Sequence, residues 1–206
     1  MQTRTKICGI TNIEDGLFAI DCGADALGFV FYPPSPRNIS VQDAAEIIKQ
    51  LPPFVTMVGL FVDESRDVIE QTINQTQIDL LQFHGNEDEA FCQQFSFPYI
   101  KAIRMKDGLD IQQLIEDYSS ARAILLDSYV AGIPGGTGEA FNWELIPAQT
   151  SKAIILAGGL TPENVAEAIN IVKPFAVDVS GGVEKSKGIK DHKKIQDFIK
   201  STRVYL

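Results

Sequence analysis

Side chains capable of acid–base chemistry stand directly after short apolar runs in this sequence. A thiol, Cys8, ends the first run in the segment TKICGIT, and His84 and Asp127 follow two later runs. A thiolate can remove a proton and a protonated carboxyl group can donate one, so Cys8 and Asp127 brought together would form an acid–base pair. Considered alone, Cys8 would be a buried packing residue and Asp127 a turn former. The fold that places them therefore decides the interpretation.

Glycine clusters follow the last three apolar runs. They lie in the segments IPGGTGEAF, LAGGLTPEN and DVSGGVE and comprise Gly135, Gly136, Gly138, Gly158, Gly159, Gly181 and Gly182, with Ser180 before the last pair. Glycine lets backbone N–H groups approach an anion closely, and a following helix N-terminus adds partial positive charge. These segments predict a binding site for a phosphorylated small molecule.

Eight short apolar runs are candidate β-strands. They are Thr5–Ile7, Ala26–Phe31, Thr56–Phe61, Ile78–Phe83, Tyr99–Ile103, Ala123–Leu126, Ile154–Ala157 and Ala176–Val179. Segments with helical periodicity separate most of them, and the weakest are Asp110–Asp117 and Asn142–Pro147. Helix starts are predicted at Thr11 with Glu14 as a capping box, at Ser40, at Thr161 followed by Pro162, and at Asp191.

Apolar strands that alternate with helices indicate a parallel sheet covered on both faces. A doubly wound open sheet would carry a glycine-rich turn after its first strand, and Cys8-Gly9-Ile10 is no such fingerprint. The strand number favours a (β/α)8 TIM barrel with short loops, at the short end of that fold's range. In this barrel the chemistry lies at the carboxyl ends of the strands, which is where Cys8, His84 and Asp127 stand, with Arg37 in the loop after the second strand.

Composition excludes several classes of protein. The 206 residues contain 45% hydrophobic residues and no long linker, so residues 1–206 are expected to form one α/β domain. A net charge of −9 argues against a nucleic-acid surface, and no apolar run is long enough for a membrane span. The start lacks signal-peptide features, so a cytoplasmic protein is expected. Cys8, Cys22 and Cys92 show neither disulfide nor metal-ligand spacing, so free thiols and no metal site are expected.

Seven segments in order give the chain a resemblance to a known family. KICGIT, SPR after FVFYPPS, LQFHG, LLDS, GGTGEAFNW, LAGGLTPENV and VDVSGGVE together resemble phosphoribosylanthranilate isomerase of tryptophan biosynthesis. The resemblance covers nearly the whole chain. It implies a (β/α)8 barrel that converts N-(5-phosphoribosyl)anthranilate into 1-(2-carboxyphenylamino)-1-deoxyribulose 5-phosphate by an Amadori rearrangement, without a cofactor.

The resemblance also implies roles for individual residues. Asp127 would be the general acid and Cys8 the general base, with Lys6 a candidate to offset the charge of a thiolate. Arg37 would bind the anthranilate carboxylate, for which its planar fork is suited, and His84 and Asp178 would orient the substrate. The implied phosphate-binding residues are Gly136, Gly138, Gly158, Gly159, Ser180, Gly181 and Gly182.

Two positions depart from the commonest family pattern. Gly181 stands where a serine is frequent, and Glu139 follows GGTG where a lysine is frequent. The acidic Glu139 puts a direct electrostatic role at that position in doubt.

Two alternatives remain open at the level of sequence. Another phosphosugar barrel enzyme, such as an epimerase or an indole-glycerol-phosphate synthase, would share the glycine clusters, although only His84 among the histidines follows a strand. A phosphate-ligand barrel without catalysis would need neither Cys8 nor Asp127. The expected partner is a phosphorylated small molecule rather than nucleic acid or membrane, and the chain is expected to be a monomer or a homodimer.

Overall fold

The computed structural model is a closed barrel of eight parallel strands in sequential order. It describes residues 2–105, 108–127, 143, 146–147 and 150–203. The barrel strands are β1 (Arg4–Cys8), β2 (Ala26–Val30), β3 (Thr56–Phe61), β4 (Leu80–Phe83), β5 (Tyr99–Arg104), β6 (Ala123–Asp127), β7 (Ala153–Ala157) and β8 (Ala176–Val179). Pairing of β1 with both β2 and β8 closes the barrel. The (β/α)8 architecture expected from the strand pattern is confirmed.

Helices connect the strands and form the outer layer. They are α1 (Ile13–Cys22), α2 (Val41–Ile48), α3 (Arg66–Thr76), α4 (Glu89–Cys92), α5 (Ile111–Asp117), α6 (Val165–Val172) and α7 (His192–Thr202). After β8 come a 3₁₀ turn, Gly181–Val183, and a small antiparallel hairpin of β9 (Glu184–Ser186) and β10 (Ile189–Lys190). No helix in the described part of the chain is long and apolar enough to cross a membrane.

Alternation along the strands explains why these apolar runs form a barrel. Outward residues such as Ile7, Phe29 and Phe61 join the large core between strands and helices. Inward residues are different: Cys8 packs with Val30 and Leu60 in a separate cluster. Since successive side chains of a strand point to opposite faces, polar inward residues near the carboxyl ends share one rim of the barrel.

Two helix starts lie elsewhere than the sequence predicts. Asn12, rather than Thr11, caps α1, because its side chain accepts a hydrogen bond from the Asp15 backbone N–H. The Thr11 hydroxyl instead donates to the Gly188 carbonyl in the hairpin, at 2.5 Å. Similarly, α6 begins after Asn164 rather than at the Thr161 cap, because residues 161–164 form a turn.

Other boundaries agree with the prediction. Ser40 and Asp191 cap α2 and α7 through side-chain hydrogen bonds to the backbone. Asp110 caps α5, which confirms that weak helix. The strand predicted from Ile78 begins two residues later, at Leu80. The weak helix predicted over Asn142–Pro147 falls largely outside the described residues.

Candidate active site

Cys8 and Asp127 are the last residues of β1 and β6, so the fold brings both to the carboxyl end of the barrel. Cys8 is buried, with 5% of its surface exposed. The Asp127 side chain retains 21% exposure, which leaves it accessible from the mouth of the barrel. The sequence prediction that these two residues share one rim is confirmed.

A buried ion pair lies beside Cys8 in the barrel interior. Lys6 Nζ donates to Asp178 Oδ1 at 2.9 Å, and both side chains are almost fully buried. A Cβ atom at Gly28 would stand 2.7 Å from Cys8 Sγ and 3.0 Å from Lys6 Nζ. Glycine at position 28 therefore provides the space in which the thiol and the ammonium group lie together.

The electrostatics of Cys8 are set by opposing effects. Burial raises the pKa of the Cys8 thiol, and Asp178 raises it further, whereas Lys6 and Lys190 lower it without reversing the effect of burial. Burial opposes the charge of Lys6 too, but its pairing with Asp178 and the neighbouring Cys8 leave the pKa of Lys6 raised. Cys8 is therefore a thiol at neutral pH in the ligand-free protein.

His84 links the acidic residue to the barrel interior. Its Nε2 lies 3.1 Å from Asp127 Oδ2, and its Nδ1 lies 3.0 Å from Nε2 of Gln82. Gln82 is inward on β4 and fully buried. His84, predicted to orient the substrate, thus contacts the predicted general acid directly.

Arg37 reaches back over the first βα loop to a partner that the sequence analysis did not identify. Its Nε donates to Glu184 Oε1 and its Nη2 donates to Glu184 Oε2, both at 2.8 Å. Gly9 has a φ of +78°, and a Cβ there would lie 2.8 Å from Arg37 Cδ, so glycine allows the arginine to cross this loop. The guanidinium also lies against Gly181, whose added Cβ would be 3.2 Å from Nη2.

Lys190 is a second cation of this network. Its side chain is completely buried, and Nζ donates to the Cys8 carbonyl at 2.6 Å, to Glu184 Oε1 at 3.0 Å and to the Ser180 carbonyl at 3.3 Å. Burial lowers the pKa of Lys190, while Glu184 raises it. Lys190 therefore ties the end of β1 to the end of β8, across the predicted catalytic and phosphate-binding loops.

The glycine loops after β7 and β8 contact each other. Gly158 and Gly159 both have positive φ, 86° and 64°, a backbone conformation suited to glycine. A Cβ at Gly182 would stand 1.9 Å from the Leu160 carbonyl oxygen, so only glycine permits this contact. Ser180 and Gly181 complete this rim of the barrel. Gly135, Gly136, Gly138 and Glu139 lie outside the described residues.

Sequence reasoning missed Gln82, Glu184 and Lys190. Gln82 and Glu184 stand inside segments that carried the resemblance, LQFHG and VDVSGGVE, and Glu184 and Lys190 flank the segment KSKGI. A lysine in a polar segment is normally exposed to solvent. The complete burial of Lys190 in β10 therefore could not be predicted from the sequence and is shown by the structure.

Comparison with known proteins decides the family. A model of the N-(5'-phosphoribosyl)anthranilate (PRA) isomerase family matches residues 5–201. A relative of that name from Pseudomonas fluorescens (strain Pf0-1) is 60% identical over 200 residues, covering 97% of this chain and 98% of the relative. The chain belongs to the phosphoribosylanthranilate isomerase family. It is therefore an isomerase, and another family member, from Nitrosococcus oceani, is 56% identical over 97% of both chains.

Solved structures of phosphoribosylanthranilate isomerases share the fold. The Thermotoga maritima enzyme superposes with a TM-score of 0.90 at 45% identity and covers 97% of this chain and 98% of that one. A structure at TM-score 0.87 and 43% identity, with the same coverage, holds reduced 1-(o-carboxyphenylamino)-1-deoxyribulose 5-phosphate. A third, at TM-score 0.86 and 41% identity over the same shares, shows monomers generated from the dimeric Thermotoga maritima enzyme.

Proposed function

We propose that the protein catalyses the Amadori rearrangement of N-(5-phosphoribosyl)anthranilate to 1-(2-carboxyphenylamino)-1-deoxyribulose 5-phosphate in tryptophan biosynthesis. The observation that carries the proposal is a thiol and a carboxyl group, Cys8 and Asp127, at strand ends of a barrel that matches this isomerase family over residues 5–201. A related structure that binds the reduced product supports the choice of ligand.

Asp127 acts first, as the general acid. Its carboxyl group gives a proton to the ring oxygen of the ribose as the C1–O bond breaks and its electron pair moves to that oxygen. The lone pair of the anthranilate nitrogen forms the C=N bond, so the product of this step is an open-chain iminium ion.

Cys8 acts second, as the general base. The thiol first loses its proton to solvent. The thiolate then removes the C2 proton and becomes a thiol again, while the electron pair of the C2–H bond forms the C1=C2 bond and the π pair of the C=N bond returns to the nitrogen, which gives an enolamine. A proton added at C1 takes up the C1=C2 electron pair, and loss of the C2 hydroxyl proton forms the C2=O bond of the ketone, so no cofactor is needed. Although burial favours the thiol in the free protein, the positive iminium and Lys6 favour the thiolate at this stage.

The other residues bind and orient the substrate. Glu184 holds Arg37 at the rim through two hydrogen bonds, and the guanidinium binds the anthranilate carboxylate, for which its planar, charged donor geometry is suited. Gly158, Gly159, Ser180, Gly181 and Gly182 bind the phosphate through their backbone groups, together with Gly136 and Gly138, which follow β6 in the sequence. The buried Lys6–Asp178 pair forms the floor of the site beneath the reacting carbons.

The most direct test of this function is identification of the product. N-(5-phosphoribosyl)anthranilate, generated in situ, is incubated with the protein in D₂O and the mixture is followed by NMR. We expect the aminodeoxyribulose phosphate to form with deuterium at C1, because the proton removed from C2 is replaced at C1 from exchangeable groups. If the folded protein forms no aminodeoxyribulose phosphate at all, the isomerase activity is excluded.

The oligomeric state remains a prediction of monomer or homodimer. Related enzymes of Thermotoga maritima are described in both states, since monomers were generated from a dimeric one. Light scattering on the purified chain distinguishes the two, and a larger assembly would contradict the prediction.

A further inference from the structure

Gln82 is a fully buried amide in the barrel interior with one unsatisfied atom. In the sheet it lies between Leu60 of β3 and Ile100 of β5, so its neighbours in register are apolar. Its Nε2 lies 3.0 Å from His84 Nδ1, whereas Oε1 has no hydrogen-bond partner among the described residues. A buried unpaired polar atom in a native site calls for an explanation.

The structure places the amide nitrogen of Gln82, rather than its oxygen, toward His84. Nε2 is a donor and lies 3.0 Å from Nδ1 of the ring.

This orientation fixes the tautomer of His84. An N–H donor on Gln82 requires Nδ1 of His84 to accept, so in the neutral ring the proton is on Nε2. That N–H points at Asp127 Oδ2, 3.1 Å away. His84 is therefore a donor to Asp127 and cannot accept the proton of that carboxyl group.

We propose that Gln82 is a positioning residue that holds His84 in its Nε2–H tautomer, so that His84 donates a hydrogen bond to Asp127 Oδ2 and orients that carboxyl group. This proposal deepens the isomerase function and rests on Asp127 as its general acid.

The tautomer can be measured without any assay of activity. The chain contains only two histidines, His84 and His192, so a spectrum of the protein labelled with ¹⁵N-histidine shows two rings. Long-range ¹H–¹⁵N correlations identify which ring nitrogen carries the proton in the neutral form. His192, which stacks on Phe18 and contacts Asp15 through Nε2, serves as the internal control.

For the wild-type protein we expect His84 to show a protonated Nε2 and an unprotonated Nδ1. A Gln82→Glu variant places an acceptor opposite Nδ1, and we expect a proton to appear there while the signals of His192 stay unchanged. A wild-type ring protonated at Nδ1 would overturn the proposal, whether or not any variant folds.

The kinetic consequence is tested with Gln82→Met, which keeps the length of the side chain and removes the donor. We expect kcat to fall about tenfold, the effect of losing one hydrogen bond, here the one from Gln82 that positions His84, with KM unchanged. The matched control is Gln71→Met on the exposed face of α3, which should retain wild-type kinetics.

The two proposals fail separately. If Gln82→Met keeps wild-type kcat, Gln82 has no positioning role even though the isomerase function stands. If the wild-type protein shows the expected tautomer but no turnover, the isomerase function is wrong while the positioning of His84 is correct.

Discussion

At the scale of single residues, Cys8 shows how burial and nearby charge compete. The thiol ends β1 where the barrel interior opens to the rim, with the Lys6–Asp178 pair beside it. Two ammonium groups, on Lys6 and Lys190, lower the pKa of Cys8, yet burial and Asp178 raise it by more. The proposed base is therefore a thiol in the free protein, and its ionisation depends on the charge of the bound intermediate.

This balance predicts the pH dependence of Cys8 alkylation. Because burial raises the thiol pKa above its ordinary value of 9.0, the rate with iodoacetamide should climb about tenfold per pH unit through pH 9 without levelling. The rate is measured by mass spectrometry of the peptide that contains Cys8, which separates it from Cys22 and Cys92. The urea-unfolded chain provides the control and should level off near the ordinary thiol value. An alkylation rate of the folded protein that levels off below pH 8 would contradict a raised pKa of the Cys8 thiol.

At the scale of secondary-structure elements, the hairpin β9–β10 stabilises the active-site rim. Glu184 in β9 binds Arg37 of the second βα loop, and Lys190 in β10 binds the carbonyl of Cys8. Burial opposes the charge of Glu184, but its hydrogen bonds with Arg37 and Lys190 outweigh it and leave the pKa of Glu184 lowered. A carboxylate whose pKa is lower in the folded state stabilises the fold above its unfolded pKa, and this stability is lost as the pH falls through the folded value.

A Glu184→Gln variant should therefore be strongly destabilised at pH 7. The buried ammonium of Lys190 loses its only carboxylate contact among the described residues, and removal of one partner of a buried ion pair costs about 3–5 kcal/mol. Urea unfolding at pH 7 measures the loss, which should shrink as the pH is lowered below the ordinary glutamate range. Glu46→Gln, which breaks an exposed pair with Lys49, is the control and should change stability by less than about 0.5 kcal/mol. Equal stability of the Glu184 variant and wild type would contradict the network's role.

The contact between the β7 and β8 loops gives a second prediction at this scale. Gly182→Ala would place a Cβ 1.9 Å from the Leu160 carbonyl oxygen and must push the two loops apart. Since these loops are proposed to bind phosphate, KM should rise at least about tenfold, the cost of a misplaced charge-assisted contact, while kcat changes less. Gly16→Ala in α1, where an added Cβ finds only ordinary contacts from 3.4 Å, is the matched control. An unchanged KM for the Gly182 variant would contradict the proposal that these loops bind the phosphate.

At the scale of the whole molecule, the sequence predicted the barrel but not the ion-pair networks. Strand runs and their alternation are local signals, so all eight barrel strands were located, with small shifts at their ends. The networks join distant parts of the chain: Lys6 and Asp178 are 172 residues apart, and Arg37 and Glu184 are 147 apart. No local sequence pattern predicts such pairs. For the same reason the hydrogen bond from Lys190 to the Cys8 carbonyl could not be predicted.

The site residues show the same contrast, because their positions could be predicted from local patterns and their contacts could not. Cys8, Asp127 and the glycines could be assigned to the rim because each directly follows a strand, and the barrel places all strand ends together. The contacts between these residues and their partners could not be predicted, because no local sequence pattern shows that Lys190 of the hairpin reaches Cys8 or that His84 contacts Asp127. The capping errors at Thr11 and Thr161 have a similar cause, since tertiary contacts and a preceding turn override the local cap signals.

The central claim is that Cys8 and Asp127 are the base and the acid of the isomerisation, and the loss of N-(5-phosphoribosyl)anthranilate fluorescence tests it most directly. Wild type, Cys8→Ala and Asp127→Asn are compared at equal concentration, with folding verified by circular dichroism. The account predicts rapid loss with wild type and a rate lower by at least about 10³-fold in each variant, while both still bind the reduced product analogue, because general acid–base steps contribute on this order. Wild-type rates in either variant would contradict the assigned roles.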